Sequence, residues 1–476
     1  MRATATKIPV ALSRLKALPV RHVRGRFDSA VTTDDNRRHW ANADALSPDA
    51  AANAEVRRVL RNRARYEVAN NSYARGIVLT LANDTVGTGP RLQLLSDSDK
   101  ANREVEREFD RWSREVNFAE KLRTMRMARS QDGESFAILV NNPVVDHPVM
   151  LDLRLVEADM VTSPWDYLLD RSEIDGIALD AFGNPVAYRV LKVHPGENTW
   201  QARQDFVTLP AEHVIHVYRQ DRPGQHRGIP EITPALPLFA QLRRFTLAVL
   251  GAAEAAADFA GILYTDAPAN GEADSVEPMD SIELERNMLL TMPGGWKMSQ
   301  IEPMQPATTY AEFKKEILNE IARCLNMPFN VAAGNSSGYN YASGRLDHQT
   351  YFKAIRVDQA FMAEKVLDRV LSAWLWEYAL SGVSSILTPN SYSRVLPDHQ
   401  WFWDGMEHVD PAKEASAQET RLRNNTTTLA HEYARQGKDW ESELRQRARE
   451  KALMKELGLD EPVATPTASG TSDDSE

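Results

Sequence analysis

Four residues with metal-ligating side chains lie close together in the sequence: His213, His216, Asp221 and His226. Imidazole nitrogens and carboxylate oxygens bind zinc and related ions, so this clustering allows a metal site. The surrounding residues, however, are typical of a β-strand, in which side chains three positions apart point to opposite faces. The pattern therefore favours structural histidines over a metal centre.

Other reactive groups do not form a recognisable catalytic pattern. Cys324 lies beside Leu325 on an apolar helical face, which is typical of a buried small hydrophobe, and a lone cysteine allows no internal disulfide. Pro90 follows Gly87 and Gly89 and removes a backbone donor that a phosphate-binding loop would use. The sequence contains no Walker A, Rossmann, HExxH or CxxC motif. It predicts no catalytic residue, cofactor or metal, and a protein that is not an enzyme.

The composition is that of a folded chain able to bury a large core. Of its 476 residues, 42% are hydrophobic and 26% are charged, and the length suggests roughly three structural units. The most apolar helical stretch, 245–264, is interrupted by Glu254 and Asp258. The sequence therefore predicts no membrane span.

Charge is distributed unevenly along the chain. The net charge is −11, yet residues 1–75 hold fifteen Lys and Arg against seven Asp and Glu. The first 46 residues predict a flexible basic arm, either ordered by a partner or simply solvated, and the arm with the first helices is the expected basic surface. Because affinity for duplex DNA comes largely from cations that neutralise phosphates, an acidic chain predicts weak, reversible DNA contact.

The elements predict a mostly helical α+β fold. A helix capped by Ser47 carries an apolar side at Val56, Leu60 and Val68, and residues 70–72 break it from the next helix. Strand signals follow at 136–140, 150–156, 177–179, 186–193 and 214–218. A helix over 233–259 then has a side of small residues that allows close helix packing: Ala248, Gly251, Ala252 and Ala255.

The second half of the chain is again mainly helical. Short strands are predicted at 261–265 and 288–292, and helices at 310–325 and 346–380. Between those helices, three glycines and five short polar residues predict a loop over 333–345. Three short helices are predicted within 411–458, followed by a disordered acidic tail over 459–476.

Three separated segments resemble one protein family. They are HVYRQDRPGQHRGIPEITP (216–234), NNSYARGIVLTLANDTVGTGPRLQ (70–93) and VDPAKEASAQETRLRNNTTTLAHEYARQGKDW (409–440). Each is similar to a segment of the portal proteins of tailed bacteriophages, lambda family, and the three occur in the order found there. The first, called the signature segment below, resembles the strand and turn that lead into a long helix in that family.

The resemblance implies a dodecameric ring at one capsid vertex, through which double-stranded DNA passes without sequence-specific binding. It implies contacts with the terminase large subunit, the head-tail connector or adaptor, the major capsid protein and the scaffold. It also implies assembly in the host cytoplasm and a final place in the virion. The family architecture would divide the chain into an arm (1–46), a wing (47–232), two stem helices (233–260 and 309–327), a clip (261–308), a tunnel loop (328–345), a long wing helix with its return segment (346–410), a crown (411–458) and a tail (459–476).

The same resemblance suggests which residues face DNA. In the tunnel loop they would be Asn335, Ser336, Tyr339, Asn340, Tyr341 and Arg345, although the loop can equally be a plain connector. In the stem they would be Arg243, Glu254 and Asp258; the two carboxylates would repel phosphates, but Leu247 and Leu250 share their side, so solvation outside the stem stays open. A head-tail adaptor or minor capsid component, and an enzyme with an unrecognised site, are the alternative functions.

Overall fold

The computed structural model describes residues 30–163, 173–197, 205–258, 262–265, 296–299, 307–338, 340–383, 396–405 and 411–459. The helices are α1 (Pro48–Ala51), α2 (Ala54–Asn70), α3 (Ser72–Val86), α4 (Asp99–Glu115), α5 (Phe118–Asp132), α6 (Leu236–Asp258), α7 (Ala307–Cys324), α8 (Phe329–Ala333), α9 (Tyr341–Met362), α10 (Asp368–Ser381), α11 (Pro411–Arg423), α12 (Leu429–Arg435) and α13 (Trp440–Glu456). The strands are β1 (Arg91–Leu94), β2 (Glu134–Asn141), β3 (Leu151–Val156), β4 (Glu173–Ile174), β5 (Ile177–Leu179), β6 (Pro185–Leu191), β7 (Phe206–Pro210), β8 (Val214–Tyr218), β9 (Ile262–Thr265), β10 (Trp296–Ser299) and β11 (His399–Phe402). The predicted mostly helical α+β class is confirmed.

The first long helices begin and end where their capping residues require. The side chain of Asn53 accepts a hydrogen bond from the Val56 amide at the start of α2, and Asn71 caps the start of α3, as the predicted break implies. The predicted apolar side of α2 is only partly correct. Val56 is exposed, whereas Arg57 and Arg61 are buried, because carboxylates on distant segments face this side of the helix.

Two antiparallel sheets, of three and four strands, form the larger β units of the described chain. One has the strand order β3-β2-β8, and the other has the order β4-β5-β6-β7. The five predicted strands in this region are confirmed with shifts of one or two residues at their ends. The sequence analysis missed β7, whose exposed edge position leaves only a weak pattern of alternating burial.

Three apolar clusters form the core. The largest packs α4, α5 and α10 around an aromatic centre of Phe109, Trp112 and Trp374. A second cluster joins α2 and α3 to the start of α6, the end of α7 and the middle of α9, and the third lies between the two sheets. The beginning of α6 thus belongs to the core, since Phe239 and Leu242 are buried there.

The segment predicted as a loop over 333–345 is shorter in the structure. Helix α8 occupies its start, and α9 already begins at Tyr341, capped by the Asn340 side chain. The three glycines misled the prediction, because Gly344 lies inside α9 and only Gly334 and Gly338 take the left-handed conformation of a turn. The predicted helix 346–380 is therefore longer at its start, and a π-helical turn at Ala363–Leu367 joins α9 to α10.

The three predicted short helices near the C-terminus are confirmed as α11, α12 and α13, the last capped by Asp439. A missed two-stranded ribbon, β1 with β11, links this region to the N-terminal helices. The predicted strand at 288–292, residues 1–29 of the arm, most of the expected clip and residues 460–476 of the tail lie outside the described residues. Among the helices that are described, none combines the length and apolarity that a membrane crossing requires.

Candidate functional site

The signature segment is organised around one buried ion pair. The Arg227 guanidinium donates to both Glu134 oxygens at 2.6–3.0 Å and to the Val161 carbonyl at 3.0 Å. Arg227 is 1% exposed and Glu134 is fully buried. Burial favours a raised pKa for Glu134, but Arg227, together with His216, holds that pKa well below its usual range. The pair fixes the signature segment to the first residue of β2.

Arginines on α2 extend this network to three further carboxylates. Arg61 donates to Asp159 at 2.9 Å, Arg65 donates to Asp132 at 2.6 Å, and Arg57 pairs with Asp175. These three arginines, four residues apart, lie on one side of the helix. The expectation that the first helices form part of the main basic surface is wrong for this side of α2, since its charges are neutralised inside the protomer.

A second buried cluster lies at the end of the signature segment. Glu231 accepts from Arg126 at 2.8 Å and forms an ion pair with Arg129 at 2.9 Å, and both arginines also contact Asp358 of α9 at 2.8 and 3.0 Å. Burial opposes ionisation of Glu231, but Arg126 and Arg129 lower its pKa to about 2. Because Glu231 is five residues before α6, this cluster anchors the segment that leads into α6 to α5 and α9.

The glycines of the signature segment allow two backbones to touch. A Cβ at Gly228 would lie 2.1 Å from the Gly133 carbonyl oxygen, and one at Gly133 would lie 2.4 Å from the Ile229 carbonyl carbon. Gly133 also has a φ of +89°, a backbone conformation that residues other than glycine rarely adopt. The sequence analysis recognised the segment but not this contact, because its partner lies about ninety residues earlier in the chain.

The four candidate metal ligands are not brought together. His216 is stacked between Phe136 and Tyr218 and bonds Glu134 at 3.0 Å, whereas His213 is exposed beside Glu212. Asp221 pairs with Arg219 at 2.6 Å, and His226 pairs with Asp49 at 2.9 Å. Each of the four groups therefore has a separate charged neighbour.

A different trio, Glu157, Asp159 and His194, has ligand atoms within 4.8 Å of one another. Arg61 and Arg65 both contact Asp159, at 2.9 and 2.8 Å, so the positive charge that a cation would supply is already provided.

Cys324 is partly buried, whereas the sequence predicts full burial. Its Sγ lies 3.2 Å from the Glu231 carbonyl oxygen, and burial raises the pKa of the thiol.

The stem residues lie on α6, of which the first half is packed and the second half is open. Arg243 stacks over the Tyr66 ring, so it is held by α2. Ala248, Gly251 and Glu254 are exposed, and Ala252 is half-buried; Ala255 and Asp258 belong to the same helix. Leu247 and Leu250, at 60% and 54% exposure, lie beside them. Of the predicted stem residues, Ala248, Gly251 and Glu254 thus lie on a surface that is exposed in the protomer, whereas Arg243 packs on α2.

The predicted loop residues divide into two groups. Asn335 and Ser336 lie in the exposed turn between α8 and α9, and Asn340 caps α9. Tyr341 and Arg345 are in the first two turns of α9, not in the loop, and Tyr339 lies outside the described residues. The described turn is therefore polar and short.

Comparison with known proteins gives the class. The sequence profile of "Phage portal protein, lambda family" matches residues 34–359, which is most of the chain. The chain therefore belongs to the lambda family of phage portal proteins, and the predicted resemblance is confirmed.

A probable portal protein of Halomonas phage phiHAP-1 is 25% identical over 430 residues, covering 85% of this chain and 82% of that protein. Two solved structures are also similar. A chain of the virion of a native gene transfer agent particle has a TM-score of 0.45 and 14% identity, with 79% of this chain and 92% of that chain covered. A chain of the neck of the native particle, computed with C12 symmetry, has a TM-score of 0.45 and 14% identity, with 76% and 88% covered.

Proposed function

We propose that copies of this chain form a closed ring at one capsid vertex, through which double-stranded DNA is packaged and later ejected. Family membership supports this function, and one feature of the protomer supports the ring. The second half of α6 exposes Leu247 and Leu250 beside Ala248 and Gly251, a surface that isolated protomers would leave in water. Such an apolar face on a small-residue helix is suited to contact with another copy.

The segment boundaries expected from the family are proposed as the working division of the chain. Residues 47–232 form the wing, 233–260 and 309–327 the two stem helices, 261–308 the clip, and 411–458 the crown. The role is structural rather than catalytic. The terminase large subunit, the head-tail connector, the major capsid protein and the scaffold are the proposed partners, with assembly in the host cytoplasm before incorporation into the virion.

The ring is tested by a substitution that the protomer can accept. A Cβ at Gly251 meets no atom within 4 Å, so Gly251→Leu should fold normally but overpack a contact with the next copy. Overpacking costs about 1–3 kcal/mol in each contact. Negative-stain imaging should show rings for the parent chain and for Gly251→Ala, and few or none for Gly251→Leu.

The matched control is Gly76→Leu, because Gly76 is also an exposed helical glycine with open space around it. This control should form rings. Ring formation by Gly251→Leu would show that α6 does not make the proposed contact between copies. A parent chain that stays a monomer at every concentration would refute the proposed function.

The turn between α8 and α9 is proposed to meet DNA in the channel. Its polar residues bury little, so one copy per subunit can give weak, easily reversed contacts. Deletion of Ser336 and Ser337, which leaves the Asn340 cap in place, should leave rings intact and reduce DNA packaging or retention. Packaging equal to that of the parent would make the turn a plain connector.

A further inference from the structure

A groove of about 410 Å³ lies between α9 and the C-terminal end of α7. Leu325 and Asn326 line one wall, Lys353 and Val357 line the other, and the charged cluster of Glu231 is at its floor. The groove is open at the protomer surface, so another segment can enter it.

The α9 wall of this groove carries the cation of Lys353 and the aliphatic side chain of Val357. At about 100° per residue, Leu346 lies at the same angle of α9 but outside the groove lining, and Arg345 and Arg356 lie on the adjoining side of the helix. Leu346 and Val357 are 66% and 65% exposed, although both are aliphatic. In the part of the chain that the structure describes, none of the three cations has a salt-bridge partner. The surface therefore lacks both an apolar cover and counter-charges.

A complementary surface occurs on α7 of the same chain. Glu312, Glu316 and Glu320 are exposed at intervals of four residues, next to Phe313, which is 48% exposed. Like charges at this spacing repel one another, and within the described residues none of the three forms an ion pair. Arg323 lies on the same side of α7, about one turn after Glu320.

We infer that the acidic side of α7 in one copy docks in the α9 groove of the next copy, with Glu316 facing Lys353 and Phe313 covering Val357. The two surfaces match in charge and in their exposed apolar residues, and they are different surfaces of one chain. A contact between different surfaces is heterologous, and it closes into a ring when the rotation between copies allows it. This inference rests on the proposed ring and names a second contact between copies, in addition to that of α6.

Charge reversal with exchange of partners tests the contact. Glu316→Lys and Lys353→Glu should each abolish ring formation at a concentration that fully assembles the parent, leaving protomers of 53.5 kDa in multi-angle light scattering. Each reversal is expected to weaken association by about tenfold or more per contact. The double variant Glu316→Lys/Lys353→Glu should form rings again.

A more specific test mixes the two single variants. When the two variants alternate around a heterologous ring, the reversed α7 side of one meets the reversed groove of the other, so these charges attract. The next contact joins the native α7 side and the native groove, which attract as in the parent. Equal amounts of the two single variants should therefore assemble where neither does alone. Glu212→Lys, which reverses an exposed carboxylate elsewhere, is the control and should assemble like the parent.

Three outcomes would overturn the inference while leaving the proposed function intact. In the first, both single variants form normal rings; if they then retain DNA differently, the acidic side of α7 faces the channel instead. In the second, the single variants fail but neither the double variant nor the mixture recovers rings. In the third, thermal unfolding shows that the single variants have lost their fold, and Glu316→Gln with Lys353→Gln, which keep the shape without the charge, assemble like the parent. A parent chain without rings would instead refute the proposed function.

Discussion

The proposed wing region (47–232) and the second half of α6, in the proposed stem, differ in where their side chains find partners. In the wing region, Arg227, Glu134 and Glu231 are buried and fully enclosed by the protomer, with charge partners at 2.6–3.0 Å. In the stem, Leu247 and Leu250 are more than half exposed, although the helix that carries them begins in the core. In the described residues, the buried charges of the proposed wing therefore find their partners within the protomer, whereas the second half of α6 leaves an apolar surface for the contact proposed above.

Removing the central arginine of the wing region should have the largest effect. Arg227→Met leaves Glu134 buried without its main counter-charge, which costs about 3–5 kcal/mol of the free energy of unfolding. Arg222→Met is the matched control, because Arg222 is an exposed arginine of the same segment, and it should change that free energy by less than about 0.5 kcal/mol. Urea unfolding followed by circular dichroism measures both, and equal effects would refute the comparison.

Acid should weaken the wing region through Glu231. Since its pKa in the folded chain is about 2 against an ordinary 4.5, Glu231 contributes stability that is complete above pH 4.5 and lost as the pH falls toward 2. The contribution is about 3 kcal/mol, at 1.4 kcal/mol for each pKa unit. Asp132 acts in the opposite direction, because burial raises its pKa.

The measurement is urea unfolding of the parent and of Glu231→Gln at about pH 7 and about pH 3. The variant should be the less stable at neutral pH, because Arg126 and Arg129 lose a counter-charge, and it should lose less stability on acidification. An identical acid dependence in the two proteins would show that other carboxylates control it.

Two glycine-to-alanine substitutions test the same comparison, because each adds a single methyl group. Gly228→Ala should lower the free energy of unfolding by about 1–3 kcal/mol, because its Cβ would lie 2.1 Å from a backbone oxygen. Gly251→Ala should instead raise it by up to about 1 kcal/mol, because the site is open and alanine favours the helix. Thermal unfolding of the two variants should shift in opposite directions; shifts of the same sign would contradict the assignment of one as enclosed and the other as open.

The sequence predicts the helices and strands more fully than it predicts the contacts between them. Strand β2 and its neighbours are recognisable because Val, Ile and aromatic residues fit a pleated sheet. The buried side of α2 is not, because Arg57 and Arg61 look solvated until Asp175 and Asp159, about a hundred residues later, are placed beside them. Local periodicity carries no information about such distant partners.

The candidate site shows the same limit. The signature segment is identified from its residues, yet the contact of Gly228 with Gly133 and the pairing of Arg227 with Glu134 depend on tertiary structure alone. The predicted start of α9 is five residues late because glycine and serine favour loops locally, whereas the Asn340 cap and the helix beyond it fix the boundary. Which surfaces face the channel is a property of the assembly and stays a prediction.

The ribbon of β1 and β11 has a consequence for the order of folding. Arg91–Leu94 pairs with His399–Phe402, so one strand is synthesised about three hundred residues before the other. Until the second strand leaves the ribosome, β1 has an unpaired edge and the apolar side chains of Leu92 and Leu94 lack part of their cover. Closing so long a loop is slow, and the protomer therefore completes this part of its core only late in synthesis. Chains released before β11 are expected to aggregate, so that only subunits long enough to contain β11 complete this part of the core.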